Sequence, residues 1–220
     1  GLEAQIEQAL GGAEIARLLR FPEHVAAGIY SLDEHFNGQG RPQRLAGEAI
    51  SLYSRIALLA QVLDVFHTAG GPQAALDEIR QRSGGWFDPR LVDAAEHVAE
   101  SDAFWITLAS PDITDAVLAL EPATHMVALD DDYLDDIATA FGQVVDSKSP
   151  YTAGHSTRVA LYTDMIAEEL GFSLERRRWL KRGALLHDVG KLGVSNSILD
   201  KPGKLDADEW VAVQAHAMYT

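Results

Sequence analysis

The spacing of apolar residues predicts helices along almost the whole chain. Residues 2–19 carry apolar side chains at helical intervals, with an interruption expected at Gly11-Gly12. A proline suited to the first turn opens a second predicted helix over residues 22–34. Residues 50–66 are densely apolar and predict a central buried helix that ends at a Gly-Gly-Pro turn. Asp88, which a proline follows, is the expected N-cap of the next helix.

The helical pattern is weak between residues 110 and 126, where Pro111 and Pro122 break it, and we place a boundary there. Beyond it, Asp206 and Glu209 have the spacing of a capping box at the start of the final helix. No segment alternates as a strand does, so the expected fold is all-α. The helices predicted after the boundary cover residues 130–145, 153–170, 174–188 and 207–218.

The composition excludes several classes of function. The 220 residues carry a formal net charge of −15, which repels phosphate backbones, so binding to a nucleic-acid polymer is not expected. The chain has no cysteine, so any metal must be held by imidazole and carboxylate ligands. No apolar run approaches the roughly 20 residues of a membrane span, and no signal-peptide pattern opens the chain. We therefore expect a cytoplasmic protein that does not insert into a membrane.

One Leu-Leu-His-Asp-Val-Gly-Lys segment carries the strongest chemical signal. His187 and Asp188 end an apolar helical run, where two adjacent polar side chains are costly to bury unless a partner such as a divalent metal satisfies them. His155 lies on an earlier predicted helix and His216 on a later one. An aspartate beside a histidine can bridge two metals, and a close metal pair activates water for attack on phosphorus. Because Lys191 would add positive charge on a phosphate, the predicted reaction is phosphoester hydrolysis.

Each of these signals also has a structural interpretation. Taken singly, His155 fits the surface of a helix start and His216 fits a solvated position, whereas the ordered set favours a metal site. The acidic run at residues 130–132 is interpreted as a solvated helix start, because carboxylates are favourable at that end of the helix dipole. The remaining histidines are expected to be core or solvated residues rather than ligands: His24, His35, His67, His97 and His125.

These residues resemble the HD superfamily of metal-dependent phosphohydrolases. Three segments look, in the right order, like the first half of an HD-GYP domain, a family that hydrolyses the bacterial messenger cyclic di-GMP. The resemblance extends over about residues 130–220. The segments are residues 149–159 (SPYTAGHSTRV), 185–194 (LLHDVGKLGV) and 198–205 (ILDKPGKL).

The resemblance implies a site with two divalent metal ions, such as Fe or Mn, in the complete domain. Lys191 would face the phosphate, and Asp188 would bridge the ions. Some members bind a third metal through a glutamate one turn before the helix histidine; Tyr151 takes that position here, so two metals are favoured. The implied ligands are His155, His187, Asp188 and His216.

The first half of the chain carries a second resemblance, to the latter half of an HD-GYP domain. Residues 33–42 (DEHFNGQGRP) look like its DGxGYP loop, but the departures fall at the chemical positions. Leucine cannot ligate a metal, and glutamine is a poor substitute for a carboxylate. We therefore expect this region to be catalytically inactive. The departures are Leu32 and Asp33 at the paired histidines, Arg41 at the tyrosine and Gln61 at the later metal aspartate.

The order of these motifs predicts two half-domains of HD-type helical bundles. A degenerate back half covers residues 1–108, an irregular connector covers 109–129, and a front half with the HD motif covers 130–220. A fragment of a longer protein with two tandem HD domains explains this order most simply. Alternatively, the halves rebuild one hybrid bundle within a chain, or by exchange in a homodimer. At best Asp33 would then join the site.

The function expected from these patterns is metal-dependent hydrolysis of a cyclic dinucleotide, with cyclic di-GMP as the substrate that the resemblance implies. The alternative, from another class of protein, is a non-catalytic regulatory or interaction module built from degenerate HD domains. Loss of the ligands in the first half favours that alternative for at least part of the chain.

Overall fold

A computed structural model describes residues 2–121, 127–149 and 152–220, with side chains from residue 9 onward. The described chain is helical, and its one β-type pair is an isolated bridge between Ser83 and Phe87. The expected all-α class is confirmed. The chain forms two compact units: Gly1–Ala13 with Pro22–Ala128, and Glu14–Phe21 with Leu129–Thr220.

The chain begins with two helices that differ from prediction: α1 runs from the first unit into the second, and α2 lies in the first unit. Helix α1 is unbroken, so the interruption expected at Gly11-Gly12 is wrong. A Cβ at Gly12 would lie 3.1 Å from the Ile29 side chain, and the bare glycine thus permits α2 to approach. Helix α2 ends at Tyr30 rather than near residue 34. The helices of this region are α1 (Leu2–Leu18), α2 (Glu23–Tyr30), a 3-10 helix (Gly47–Ala49), α3 (Leu52–Gln81), α4 (Pro89–Ala99), α5 (Asp102–Leu108) and α6 (Ile113–Leu118).

Helix α3 supplies most of the core of the first unit. It is kinked at Gly71, whose φ of 78° is not helical, as the Gly-Gly-Pro turn predicted. Asp88 caps α4 by accepting a hydrogen bond from the Arg90 backbone, which confirms the expected N-cap. The Arg90 side chain also bonds to Asp88 and lowers the pKa of that buried carboxyl below its ordinary value. The buried core residues are Leu58, Leu59, Leu63, Ala75, Ile79, Phe87 and Val92.

The second unit holds the helices that carry the HD motif. Asp130 caps α7, and Asp206 with Glu209 forms the predicted capping box of α11. The final predicted helix divides into two pieces that meet at Ala215. The helices are α7 (Asp131–Ser147), α8 (His155–Glu169), α9 (Leu174–Leu186), a 3-10 helix (Val189–Gly193), α10 (Asn196–Leu199), α11 (Ala207–Gln214) and α12 (His216–Tyr219).

Ion pairs and small side chains fix α7 and α8 against α9. Alanines from all three helices, one from each, are buried together with Leu185. Asp135 on α7 lies 2.6 Å from Arg178 and 2.5 Å from Arg182, both on α9. The acidic residues that open α7 join this network, because Asp131 pairs with Arg182 at 2.9 Å. This packing fixes the end of α9, where the HD motif begins.

None of the described helices is both long enough and apolar enough to cross a membrane.

Replacing Ile79 with alanine tests the core of the first unit. Ile79 has no exposed surface, and its truncation leaves a cavity, so the free energy of unfolding should fall by about 2–5 kcal/mol. Val65→Ala on the same helix is the matched control, because Val65 is 57% exposed; it should change the free energy by less than about 0.5 kcal/mol. Urea denaturation followed by circular dichroism measures both. Equal losses would contradict the placement of Ile79.

Candidate metal centre

The His-Asp pair lies where helix α9 ends. His187 is the first residue after the helix, and Asp188 precedes the 3-10 helix Val189–Gly193. The backbone turn between them brings both side chains to one point. Asp188 is only 5% exposed, so its carboxylate requires polar partners.

Three imidazoles surround that carboxylate. Asp188 Oδ2 lies 3.3 Å from His187 Nε2 and 3.7 Å from His155 Nε2. Its other oxygen, Oδ1, lies 3.5 Å from His216 Nε2. The structure therefore brings together all four residues for which the sequence predicted a metal site. His155 belongs to the start of α8 and His216 to the start of α12, so separate helices supply the ligand atoms.

The donor set fits a divalent metal ion. The ligand atoms of His155, His187 and Asp188 lie within 4.8 Å of one another. Ligands bonded at about 2.1 Å to one ion lie roughly 3–4 Å apart, and the distances of 3.3 Å and 3.7 Å from Asp188 Oδ2 to the two Nε2 atoms fall in that range. Imidazole nitrogen with carboxylate oxygen is a donor set that Mn, Fe and Zn accept.

Backbone contacts set the tautomer of two of the histidines. His187 Nδ1 lies 2.7 Å from the Ala184 carbonyl oxygen, and His216 Nδ1 contacts the Val213 carbonyl oxygen. A carbonyl can only accept, so in each ring Nδ1–H donates and the lone pair of the neutral ring lies on Nε2. Both Nε2 atoms face Asp188. Histidines that ligate metals are commonly oriented by a second-nitrogen hydrogen bond of this kind.

Lys191 completes the charge balance around Asp188. Its Nζ lies 2.6 Å from Asp188 Oδ2, and its backbone N–H donates to the Asp188 carbonyl oxygen at 2.9 Å. The short helix thus folds the ammonium back onto the carboxylate three residues earlier.

Asp146 on α7 is a positioning residue that the sequence analysis missed. It is buried, and its oxygens accept hydrogen bonds from Ser156 N at 3.0 Å and Ser156 Oγ at 2.7 Å. Because Ser156 follows His155 at the start of α8, this contact fixes the backbone position from which the His155 side chain extends. The sequence feature that could have indicated this role is a single carboxylate, Asp146, directly after the apolar pair Val144-Val145.

Gly190 holds α12 close to the 3-10 helix. A Cβ at this position would lie 2.0 Å from the His216 carbonyl oxygen, so only glycine permits the approach. The Gly190 N–H donates to Thr220 Oγ1 at 3.1 Å. His216 is thereby brought to Asp188 through backbone contact with the HD segment.

Comparison with known proteins assigns the family. Models described as HD domain match residues 7–91 and residues 152–220. A 3′3′-cGAMP-specific phosphodiesterase 3 of Vibrio cholerae is 62% identical over 209 residues, which cover 95% of this chain and 45% of the relative. The chain belongs to the HD superfamily of phosphohydrolases.

One further relative and one solved structure support this assignment. The 3′3′-cGAMP-specific phosphodiesterase 1 of V. cholerae is 34% identical over 142 residues, which cover 64% of this chain and 33% of that protein. The crystal structure of a V. cholerae cyclic GMP-AMP-specific phosphodiesterase has a TM-score of 0.71 and 60% identity, covering 98% of this chain and 52% of that one. This HD protein therefore spans about half the length of these relatives, or less.

The first unit of this HD protein contains a cavity but no metal cluster among its described residues. The cavity, of about 430 Å³, is lined by residues that include Asp33, His35 and Arg41. His35 stacks on Trp86 with ring centroids 4.2 Å apart, and burial lowers the pKa of His35 below its ordinary value. Leu32 packs against the core of the unit. The resemblance expected paired histidines at residues 32 and 33. In the structure Leu32 makes an apolar core contact there, and His35 nearby is held in a ring stack.

The other histidines that the structure describes lie outside the candidate metal centre. His24 stacks on Tyr53 and His67 on Trp105, at ring separations of 5.1 Å and 4.9 Å. His97 is exposed and lies 3.6 Å from Glu100. His125 and Tyr151, the latter at the position of the third-metal glutamate, fall outside the described residues.

Substituting Gly190 with alanine tests the contact that places α12. The new methyl group must displace the His216 backbone, so the second unit should lose about 1–3 kcal/mol of stability. Gly183→Ala on α9 is the matched control, because a Cβ there meets nothing within 4 Å and alanine favours a helix, by up to about 1 kcal/mol. Thermal melting should therefore shift in opposite directions. A gain in melting temperature for Gly190→Ala would refute the close approach.

Proposed function

We propose that this protein is a metal-dependent phosphodiesterase that hydrolyses 3′3′-cGAMP at the Asp188 site. One observation carries the proposal: imidazole nitrogens from His155, His187 and His216 surround a buried carboxylate that also contacts a lysine. The names and similarity of the V. cholerae relatives support a cyclic-dinucleotide substrate.

The substrate expected from the family resemblance needs correction. Relatives named for cyclic di-GMP match over shorter stretches, such as 92 residues at 32% identity. Two relatives named for 3′3′-cGAMP match over 209 and 142 residues, and a third matches over 75 residues at 44% identity, above the 32% of the cyclic di-GMP relative. The base preference therefore follows these nearer relatives, and 3′3′-cGAMP replaces cyclic di-GMP as the proposed substrate.

We infer that Asp188 would hold two divalent metal ions together with the three histidines. Its Oδ2 faces His155 and His187, whereas its Oδ1 faces His216, so one carboxylate can bridge two positions. Divalent ions bound there would lower the pKa of a water molecule and polarise the phosphodiester. The backbone contacts of His187 and His216 direct their Nε2 atoms towards Asp188, so these residues would hold the ions before substrate arrives.

Lys191 supplies positive charge for the phosphate. Its ammonium pairs with Asp188 Oδ2 at 2.6 Å, and the same flexible side chain can transfer that pairing to a phosphate oxygen. A charge-assisted hydrogen bond at this position would strengthen as negative charge develops on the oxygens during hydrolysis.

We also propose that the two units derive from tandem HD-GYP-type domains, a degenerate one followed by a competent one. Separate HD matches in the two halves support this arrangement. A regulatory or interaction role for the first unit is favoured by its lack of a metal cluster among the described residues. The connector at 109–129, the hybrid site with Asp33, half-domain exchange in a homodimer, and the cytoplasmic location stay predictions.

Removing one ligand at a time tests the site. His187→Ala and Asp188→Asn should each weaken Mn²⁺ binding by at least about tenfold and lower 3′3′-cGAMP turnover below detection, because Asp188 and its partners act as one unit. His97→Ala is the matched control, since His97 is exposed and lies outside the cluster. Titration calorimetry measures the metal and chromatography measures the product. Turnover that survives both ligand substitutions would refute this site.

Substrate preference provides a separate test. The kcat/KM for 3′3′-cGAMP should exceed that for cyclic di-GMP by at least about tenfold, because adenine and guanine offer different hydrogen-bonding edges to a pocket. Both substrates are assayed with the same Mn²⁺-loaded protein under single-turnover and steady-state conditions. Equal values, or a preference for cyclic di-GMP, would contradict the proposed substrate while leaving the metal site intact.

A further inference from the structure

A cavity within the second unit shares Lys191 with the candidate metal centre. Its volume is about 290 Å³, and Lys191 contributes both to its wall and to the Asp188 contact. This shared residue places the cavity next to the atoms proposed to hydrolyse the phosphodiester. The polar residues of its wall are Lys148, Ser149, Thr152, Lys191 and Lys201.

The cavity concentrates positive charge in an acidic protein. The chain has five lysines against a formal net charge of −15, and three of the five line this one cavity. Ammonium groups that converge on a concave surface attract an anion even where the protein as a whole repels one.

Two of the three ammonium groups already have a carboxylate partner. Lys191 pairs with Asp188. Lys201 contacts both carboxylate oxygens of Glu209, with Nζ 2.7 Å from Oε1. Their charges are therefore largely balanced within the protein.

Lys148 differs from the other two. Its Nζ donates to the Leu192 carbonyl oxygen at 2.7 Å, and it makes no ion pair within the described part of the chain. A carbonyl satisfies one of three ammonium hydrogens and does not cancel the charge. Lys148 thus offers an uncompensated positive charge with donors to spare, half-buried at the cavity wall.

The Lys148 ammonium is also held in a defined place. Leu192 follows Lys191 in the 3-10 helix Val189–Gly193, so one short helix positions both ammonium groups. The Lys148 backbone carbonyl accepts a hydrogen bond from Asn196 Nδ2 at 3.2 Å. Contacts at both ends of the residue reduce the entropy that the side chain would lose when it binds an anion.

We propose that Lys148 binds the second phosphodiester of the cyclic dinucleotide, the one that is not being hydrolysed. This inference rests on the proposed function. A cyclic dinucleotide carries two phosphodiesters on one ring, and Lys191 and Lys148 line the same cavity, so the second phosphate is assigned to Lys148 when the first is at Lys191. Lys148 is then a binding residue that distinguishes a cyclic dinucleotide from a simple phosphodiester.

A comparison of two substrates tests this role. Lys148→Gln should raise the KM for 3′3′-cGAMP by about 5- to 10-fold more than it raises the KM for bis(4-nitrophenyl) phosphate, which has a single phosphodiester. Lys148→Arg, which keeps the charge, should restore most of the loss. Lys204→Gln is the matched control, because it removes the same charge from a residue outside the cavity wall. If Lys148→Gln also lowers the affinity for Mn²⁺, the substitution has displaced the 3-10 helix Val189–Gly193, and the rise in KM does not come from a lost phosphate contact.

Each outcome decides the matter. A larger loss for 3′3′-cGAMP, rescued by arginine and absent in Lys204→Gln, supports the second-phosphate role. Equal losses for both substrates, or equal effects of Lys148→Gln and Lys204→Gln, would overturn it while the proposed function stands. If the unsubstituted protein binds Mn²⁺ and 3′3′-cGAMP at no measurable level, the proposed function itself fails, and this inference fails with it.

Discussion

The buried carboxylate of Asp188 is the group around which the second unit is organised. An unpaired carboxylate at 5% exposure would cost on the order of several kcal/mol. The Lys191 ammonium offsets part of that cost, whereas the three histidines turn Nε2 atoms, with lone pairs in His187 and His216, towards the same carboxylate. Such an arrangement accepts added positive charge readily, and this is why the same residues suit a divalent cation.

Several contacts away from Asp188 keep those partners in place, and each acts on a different element. Arginine–aspartate pairs fix α9 against α7, so the HD segment at the end of α9 begins at a fixed position relative to α7. Asp146 holds the start of α8, where His155 lies. Gly190 permits the close approach of α12, which brings His216. The candidate metal centre therefore depends on packing between helices as much as on its own side chains.

Much of this architecture follows from the sequence, because hydrophobic period and capping act locally. The caps at Asp88 and Asp206 and the break at Gly71 were predictable from neighbouring residues alone. The break expected at Gly11-Gly12 was wrong, since the local cost of glycine in a helix is modest and a close neighbour, Ile29, uses the space.

The residues of the candidate site could be predicted from the sequence where they belong to a motif with a fixed order and spacing. His155, His187, Asp188, Lys191 and His216 could be named from order and spacing, and the structure brings them together. Asp146 and Lys148 could not, because their importance arises from distances between segments that no spacing encodes. Base preference is similarly hidden, since a family motif records the phosphate chemistry and not the contacts that select adenine or guanine.

A crystal structure of the Mn²⁺-loaded protein, with anomalous scattering at the manganese edge, tests the central claim most directly. The account predicts a strong anomalous peak at Asp188, about 2.0–2.3 Å from its oxygens and from the Nε2 atoms of the surrounding histidines. A strong peak at another acidic cluster, such as residues 130–132, with none at Asp188 would contradict it.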